Sequence, residues 1–267
     1  MTNLYEREDA YIPRVAAIHD LCGYGKCSLG VAIPVLSAAG CDVCPVPTGL
    51  FSSHTAFPGW YMHDTTDILG DYLAAWTGIG VEVDAIVFRL PRCPRAGRYI
   101  KQVWETLPEA LRSGSGRRSR QRCAHPPGAR GNPWGQQWQR RASLAPTLTE
   151  AAIILGREWR GRRRGQAHGA RDDDPGAARR RGAKNVVLKG IEHGDGLIHN
   201  CIVGRCHRLP GNHQRQALHA ARRGGDVFAS TLLAAVMAGR DLAEATAFAA
   251  DFTADAMLIS PSSPASS

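Results

Sequence analysis

Between residues 14 and 88 the chain switches repeatedly between two hydrophobic periods, and that switching limits the architectures open to it. Val15-Ala-Ala-Ile18 is a short β-type apolar run, followed by a turn-like stretch over residues 19–26. Over residues 28–39 apolar side chains recur with helical spacing and stop at Gly40, which suits a helix with a Ser28 cap and a glycine terminator. Residues 43–46 read as a second strand, 64–76 as a second helix and 85–88 as a third strand. Strands that alternate with helices pair in parallel, because each helix carries the chain back along the sheet. The expected fold class is therefore α/β, a central, mostly parallel sheet flanked by helices on both faces.

The pattern returns further on. Residues 149–155 begin a helix capped by Thr147 or Thr149, and residues 185–188 form a buried-type strand. Gly224-Gly225-Asp226 leads directly into a nearly all-apolar helix over 227–238, ended by Gly239, and a last helix covers 242–257. One domain over 14–258 is expected, with an extension over 1–13 and an unstructured tail over 259–267.

A chain of 267 residues with 43% hydrophobic residues carries too much apolar material for a disordered protein. No apolar run approaches the roughly 18 to 20 uncharged residues that a membrane span requires, and the acidic start Glu6-Arg7-Glu8-Asp9 is unlike a signal peptide. A soluble cytoplasmic protein is expected. Its eight cysteines then read as thiols rather than a disulfide framework.

A net charge of +9 and a pI near 9.4 raise the question of nucleic acid, so the distribution matters more than the sum. Residues 1–88 carry 3 basic and 10 acidic groups, residues 183–267 carry 8 and 7, and residues 89–182 carry 22 and 7. In that middle third 21 of the 22 basic residues are Arg, with Lys101 the exception. Stretches such as 113–122 and 160–165 offer no apolar face for a helix or strand to bury. Two readings are a solvated basic insertion and a nucleic-acid-binding arm. A third fits the composition better: Arg, Gly, Pro and Ala dominate, and Lys is scarce, when a GC-rich gene is read out of frame.

The chemistry is expected at Gly224-Gly225-Asp226. Glycines let a backbone approach phosphate closely, the first amides of the helix point at it, and the helix dipole favours its charge. Such an anion hole stabilises charge developing during phosphoryl transfer, and Asp226 at its edge can take a proton from an attacking hydroxyl. The bland reading of the same residues is a plain helix start with an acidic first turn.

Taken in order, residues 19–58, Pro146-Thr-Leu-Thr-Glu-Ala151, Gly182-Ala-Lys-Asn-Val-Val-Leu-Lys-Gly190 and Gly225-Asp-Val-Phe-Ala-Ser230 resemble the pyridoxal/pyridoxamine kinases of the ribokinase-like superfamily. The resemblance covers about residues 14–88, 146–156, 182–190 and 225–257. It implies Asp226 as catalytic base and Gly224 and Gly225 as part of the anion hole. Glu150 would help hold the metal–nucleotide complex, reaching the metal through water, and Lys189 would meet the nucleotide. Asp20, Thr48, Phe51, His54 and Thr55 would line the vitamin pocket. The implied cofactors are ATP and Mg2+, with K+ as a further cation. The implied reaction is phosphorylation of the 5′-hydroxyl of pyridoxal, pyridoxamine or pyridoxine by a homodimer, with neither membrane nor nucleic acid as partner. A hydroxymethylpyrimidine (phosphate) kinase is the neighbouring alternative, and an inactive relative with a basic nucleic-acid-binding centre is the alternative from another class.

The sequence also departs from that family. Its four-residue anion hole reads Arg223-Gly224-Gly225-Asp226, an Asp-Pro-Val-Met-Gly-Asp segment expected near residues 124–138 has no counterpart, and Thr147 stands where Asn is usual. After the third strand, Arg89-Leu90-Pro91-Arg92 replaces Gly-Tyr-Leu-Gly. Phe88-Arg-Leu-Pro-Arg-Cys93 can be encoded TTC CGG CTA CCT CGG TGC, and reading one base later gives Ser-Gly-Tyr-Leu-Gly. Residues 88–99 and much of 112–145, 157–181 and 200–223 are accordingly expected to be out-of-frame translation.

Other signals are weaker. Cys41-Asp-Val-Cys44 has metal-ligand spacing but lacks a second pair and falls on a strand, so packing is its expected role. Asp172-Asp-Asp174 lies in the Arg-rich stretch, and His193, His199, His207, His213 and His219 form no zinc-type spacing with cysteine.

Overall fold

A computed structural model describes residues 12–89, 111–115, 142–145, 185–192, 197–203, 214–215 and 224–259. The helix expected at 149–155, with Glu150, lies outside the described residues, as do Asp172 to Asp174 and most of the Arg-rich centre.

The described strands are β1 (Arg14–Tyr24), β2 (Asp42–Ser53), β3 (Met62–Asp64), β4 (Ala85–Arg89), β5 (Leu111–Ser115), β6 (Ala142–Leu144), β7 (Asn185–Glu192), β8 (Leu197–Val203) and β9 (Gln214–Arg215). They form one sheet in the order β3-β2-β1-β4-β5-β6-β7-β8-β9. The pairs from β2 through β1, β4, β5 and β6 to β7 are parallel, whereas β3, β8 and β9 join antiparallel at the two edges. The described helices are α1 (Leu29–Ala38), α2 (Leu69–Gly78), α3 (Gly224–Met237) and α4 (Leu242–Ile259).

Residues 15–18 of β1 and 85–88 of β4 are buried on both faces of the sheet, which explains why they read as unbroken apolar runs. Val15, Ala17, Ala85 and Val87 share a core with Leu29, Ala32 and Leu36 of α1 and Leu233 and Ala234 of α3. Ala16, Ile18, Ile86 and Phe88, which point to the other side, are equally buried. Fully burying Leu29 and Leu36 contributes about 2 kcal/mol each, enough to seat α1 on the sheet. A second cluster joins Val187 of β7 to Phe228, Leu232 and Ala235 of α3 and Ala245, Ala249 and Ala250 of α4. No helix among the described residues is long and apolar enough to cross a membrane.

Several elements differ from the sequence expectation. Residues 19–24 are not a turn: β1 runs on through them, paired with an equally lengthened β2. The second helix starts late, at Leu69. Asp64 accepts hydrogen bonds from the backbone N–H of Thr66 (2.9 Å) and from its hydroxyl, and this Asx turn carries the chain through a 3₁₀ turn (Thr66–Ile68) first. Leu111–Ser115 is a strand within the sheet despite lacking an apolar face, because its backbone pairs with β4 and β6 whatever its side chains are. Parts of 200–223 likewise lie in β8 and β9. Gly40 does terminate α1: its φ is 80°, and the Cys41 N–H donates to the Leu36 carbonyl at 3.0 Å, closing a Schellman-type end.

Candidate functional site

The lengthened ends of β1 and β2, the end of β7 and the start of α3 meet at the carboxyl side of the parallel strands, where open α/β sheets bind their ligands. A bulge shapes this corner. His19 pairs with Pro47 and Leu21 with Leu50, so two residues of β2, Thr48 and Gly49, stand opposite the single Asp20.

Asp226 lies in the first turn of α3, buried to 5% exposure, and its Oδ2 accepts the backbone N–H of Ser28 at 3.0 Å. The Ser28 hydroxyl donates to Oδ1 of Asp20 at 2.9 Å. Ser28 therefore bridges two carboxylates from distant parts of the chain. Its side chain does not cap α1, contrary to the reading of Ser28 as an N-cap. Its backbone sits at φ 51° and ψ −121°, a sparsely populated region that costs a non-glycine residue about 1–3 kcal/mol. That conformation aims the N–H at Asp226 while the Ser28 carbonyl accepts the N–H groups of Val31 and Ala32 at 3.0 and 2.9 Å.

Lys189, in the second half of β7, is buried, with its ammonium 5.6 Å from the centre of the Phe228 ring. A Cβ on Gly225 would lie 3.9 Å from that nitrogen. The Lys189 charge thus stands beside the first turn of α3, where backbone amides have no intrahelical acceptor, and cation and amides together suit a phosphate.

The two glycines serve different ends. Both lie in the first turn of α3, and they differ in the space beside the backbone. At Gly224 a Cβ would come within 3.0 Å of Thr253 Cγ2 and 3.2 Å of Met257, so helix packing against α4 excludes a side chain there. At Gly225 the Lys189 ammonium is the one near group among the described residues.

The residues expected in the vitamin pocket cluster along the adjoining strand and turn. Thr48 and Phe51 are buried on β2, Phe51 packs on Trp60 with centroids 5.6 Å apart, and it stands opposite Cys22 of β1. The His54 N–H donates to the Tyr24 carbonyl at 2.7 Å, and its Nδ1 accepts the Ala56 N–H at 3.0 Å, which leaves the neutral ring's proton on Nε2. Gly25, at φ 84°, lets this turn close on β1, since a Cβ there would meet that of His54 at 2.9 Å. Thr55 follows, half-buried. The structure thus joins Asp20, Ser28, Gly225, Asp226 and Lys189 into one group and ties His54 to it through β1.

Sequence reasoning missed Ser28 as a link between carboxylates, and it missed the pairing of Cys22 with Cys27. The Cys27 thiol donates to the Cys22 sulfur at 2.9 Å, and Asp20, Cys22 and Cys27 place a donor atom each within 4.8 Å of one another. The available signal was two cysteines flanking Gly-Tyr-Gly-Lys. Cys41 and Cys44 behave as expected of packed thiols. Cys41 is buried in the α1 core, and burial, with Asp42 beside it, pushes the Cys44 thiol pKa above its ordinary 9.0 against the lowering effect of Arg14.

The α/β fold is similar to those of several solved kinases. Pyridoxal kinase from Lactobacillus plantarum is 21% identical, with a TM-score of 0.77 over 93% of this chain and 88% of that one. Pyridoxal kinase from Staphylococcus aureus, solved with AMP-PCP and pyridoxal, is 13% identical, with a TM-score of 0.66 over 92% and 87%. Phosphomethylpyrimidine kinase from Clostridium difficile 630 is 17% identical, with a TM-score of 0.69 over 92% of this chain and all (100%) of that one. No protein-family model matches the chain, and no curated protein shows significant similarity to it.

Proposed function

We propose that this chain is an ATP-dependent kinase that phosphorylates the 5′-hydroxyl of a B6 vitamer: pyridoxal, pyridoxamine or pyridoxine. The observation that carries the reading is the buried Asp226 carboxylate in the first turn of α3, with the Lys189 ammonium beside Gly225 one residue away. In this reading Asp226 accepts the proton of the substrate hydroxyl as its oxygen attacks the γ-phosphorus. The Gly224 and Gly225 amides and Lys189 face the charge that spreads over the transferring oxygens. The Ser28 N–H fixes the carboxylate's direction, as a base must be fixed to meet one proton. Asp20, Thr48, Phe51, His54 and Thr55 line the vitamer side, with Phe51 and Trp60 offering apolar surface to a flat ring.

A buried ammonium beside helix amides is the donor chemistry that nucleotide phosphates require, so the residues present fit ATP. Bound Mg2+ neutralises the phosphates; Glu150 is the residue proposed to organise it through water, and K+ is a further proposed cation. The enzyme is proposed to work in the cytoplasm as a homodimer, the latter in keeping with exposed Leu21 and Tyr24 of β1, Leu50 of β2 and Tyr61 just before β3.

A second reading, a hydroxymethylpyrimidine (phosphate) kinase, is supported by the match to a phosphomethylpyrimidine kinase, whose TM-score lies between those of the two pyridoxal kinases. The purified full chain, given ATP and Mg2+ with either substrate, separates the two by the ratio of kcat/KM values. Faster turnover of a B6 vitamer supports the first reading, and faster turnover of the hydroxymethylpyrimidine supports the second. No turnover of either, with salt-sensitive retention on DNA, refutes both and leaves the basic-centre binding protein.

A further inference from the structure

We infer that Cys22 and Cys27 are a reversible disulfide site, a dithiol that small-molecule disulfides oxidise. The register carries the inference. Leu21 and Ser28 form an antiparallel bridge, so in the same register Cys22 faces Cys27, the chain reversing beyond Tyr24, the last residue of β1, through Gly25 and Lys26. Directly opposed residues of an antiparallel pair have Cα atoms about 4.5–5.5 Å apart, within the span a disulfide bridges. The sulfurs already lie 2.9 Å apart, so a covalent bond needs only a small side-chain movement.

The same spacing argues against a metal. Two thiolates on one tetrahedral zinc, each at about 2.3 Å, would stand nearly 4 Å apart, and these sulfurs are well inside that separation.

The two thiols differ in access. Cys22 is half-buried, while Cys27 is buried at the start of α1. The order of events follows. The Cys22 thiolate attacks one sulfur of oxidised glutathione, forming a mixed disulfide and releasing one glutathione thiolate. The Cys27 thiolate then attacks the Cys22 sulfur and expels the second. Each cysteine's proton ends on a released glutathione, so one disulfide is reduced as one forms. Cys44, whose thiol is held protonated further up the pH scale by burial, is a poor competitor. Because Cys27 immediately precedes Ser28, the bond would fix the hairpin that presents the Ser28 amide to Asp226. The inference concerns the thiols alone and stands whichever substrate the site takes.

The test uses the full chain equilibrated with reduced and oxidised glutathione, acid-quenched, alkylated and digested. Trypsin cuts at Arg14 and after Lys26, so the bond joins two peptides, 15–26 and 27–89, and fragmentation distinguishes Cys27 from Cys41 and Cys44. The expected result is a Cys22–Cys27 cross-link, two hydrogen masses lighter, reversed by dithiothreitol and abolished in Cys22→Ser. Cys27→Ser should instead accumulate glutathione on Cys22; Cys22→Ser, a change at a half-buried position, keeps the test decisive if Cys27→Ser does not fold. Glutathione capping of Cys22 without a cross-link in the parent chain overturns the inference. So does full alkylation of both cysteines after oxidation, or stoichiometric retention of added Zn2+ that protects both thiols.

Discussion

Replacing Asp226 with Asn removes a proton acceptor while leaving nearly everything else at the site in place. The amide oxygen of Asn can still accept the Ser28 N–H, now 3.0 Å from the carboxylate, so the hairpin and helix stay tied. Exchanging a charge-assisted bond for a neutral one costs about 1 kcal/mol of stability, which a domain of this size survives. The effect on turnover should be far larger. A positioned general base contributes about 10²–10⁴-fold, or about 3–5 kcal/mol of barrier at 1.36 kcal/mol per decade. The assay is kcat for vitamer phosphorylation at saturating ATP, with circular dichroism confirming the fold and nucleotide affinity measured separately. kcat should fall by at least two decades while nucleotide affinity stays within about threefold. A folded Asp226→Asn chain that turns over within about threefold of the parent refutes the role given to Asp226.

The two glycines should separate packing from phosphate binding. Gly224→Ala is expected to lower the melting temperature. Overpacking against Thr253 and Met257 costs about 1–3 kcal/mol, against the roughly 1 kcal/mol gained by alanine in a helix. Gly225→Ala meets no such contact among the described residues and should keep or raise the melting temperature while weakening ATP affinity, which calorimetry reads directly. Ser230 is fully buried with a hydroxyl that has no hydrogen-bond partner among the described residues, so Ser230→Ala should raise the urea midpoint by the equivalent of about 1 kcal/mol; a lowered midpoint would show that the hydroxyl is satisfied. The raised pKa of Cys44 means the unfolded chain releases that proton first as pH rises. Its contribution to stability is complete below pH 9.0 and is lost on climbing through the higher folded value, a slope that Cys44→Ala should reduce in melts above pH 9.0. Nucleotide sequencing of the gene is expected to show Ser-Gly-Tyr-Leu-Gly one base out of register at residues 88–93, with an insertion or deletion before it; a confirmed single frame against functional relatives removes the out-of-frame reading.

Local pattern and tertiary pairing divided what could be read from the residues alone. The buried strands β1 and β4, helix α1 with its Gly40 stop, and α3 with Asp226 in its first turn were legible because each depends on neighbours within a few residues. The reach of β1 through Tyr24 and of β2 through Ser53 was not, since each extension is stabilised only by the other. Leu111–Ser115 was missed because a strand in mid-sheet needs backbone partners more than apolar side chains. At the site, Asp226, Gly225 and Lys189 came from ordered motifs. Ser28 looked like a cap because its type and position fit one, and only the fold brings Asp20 and Asp226 to it.

Gly224 rests directly against Thr253 and Met257, near the end of the last helix. The opening amides of α3 are therefore braced from behind by the final two turns of α4, thirty residues on, which touch no ligand in the proposed reaction. A chain shortened to residue 252 would keep every proposed site residue yet lose that backstop, leaving the first turn of α3 free to fray. Loss of phosphate affinity in such a truncation would report on the missing brace rather than on any missing contact.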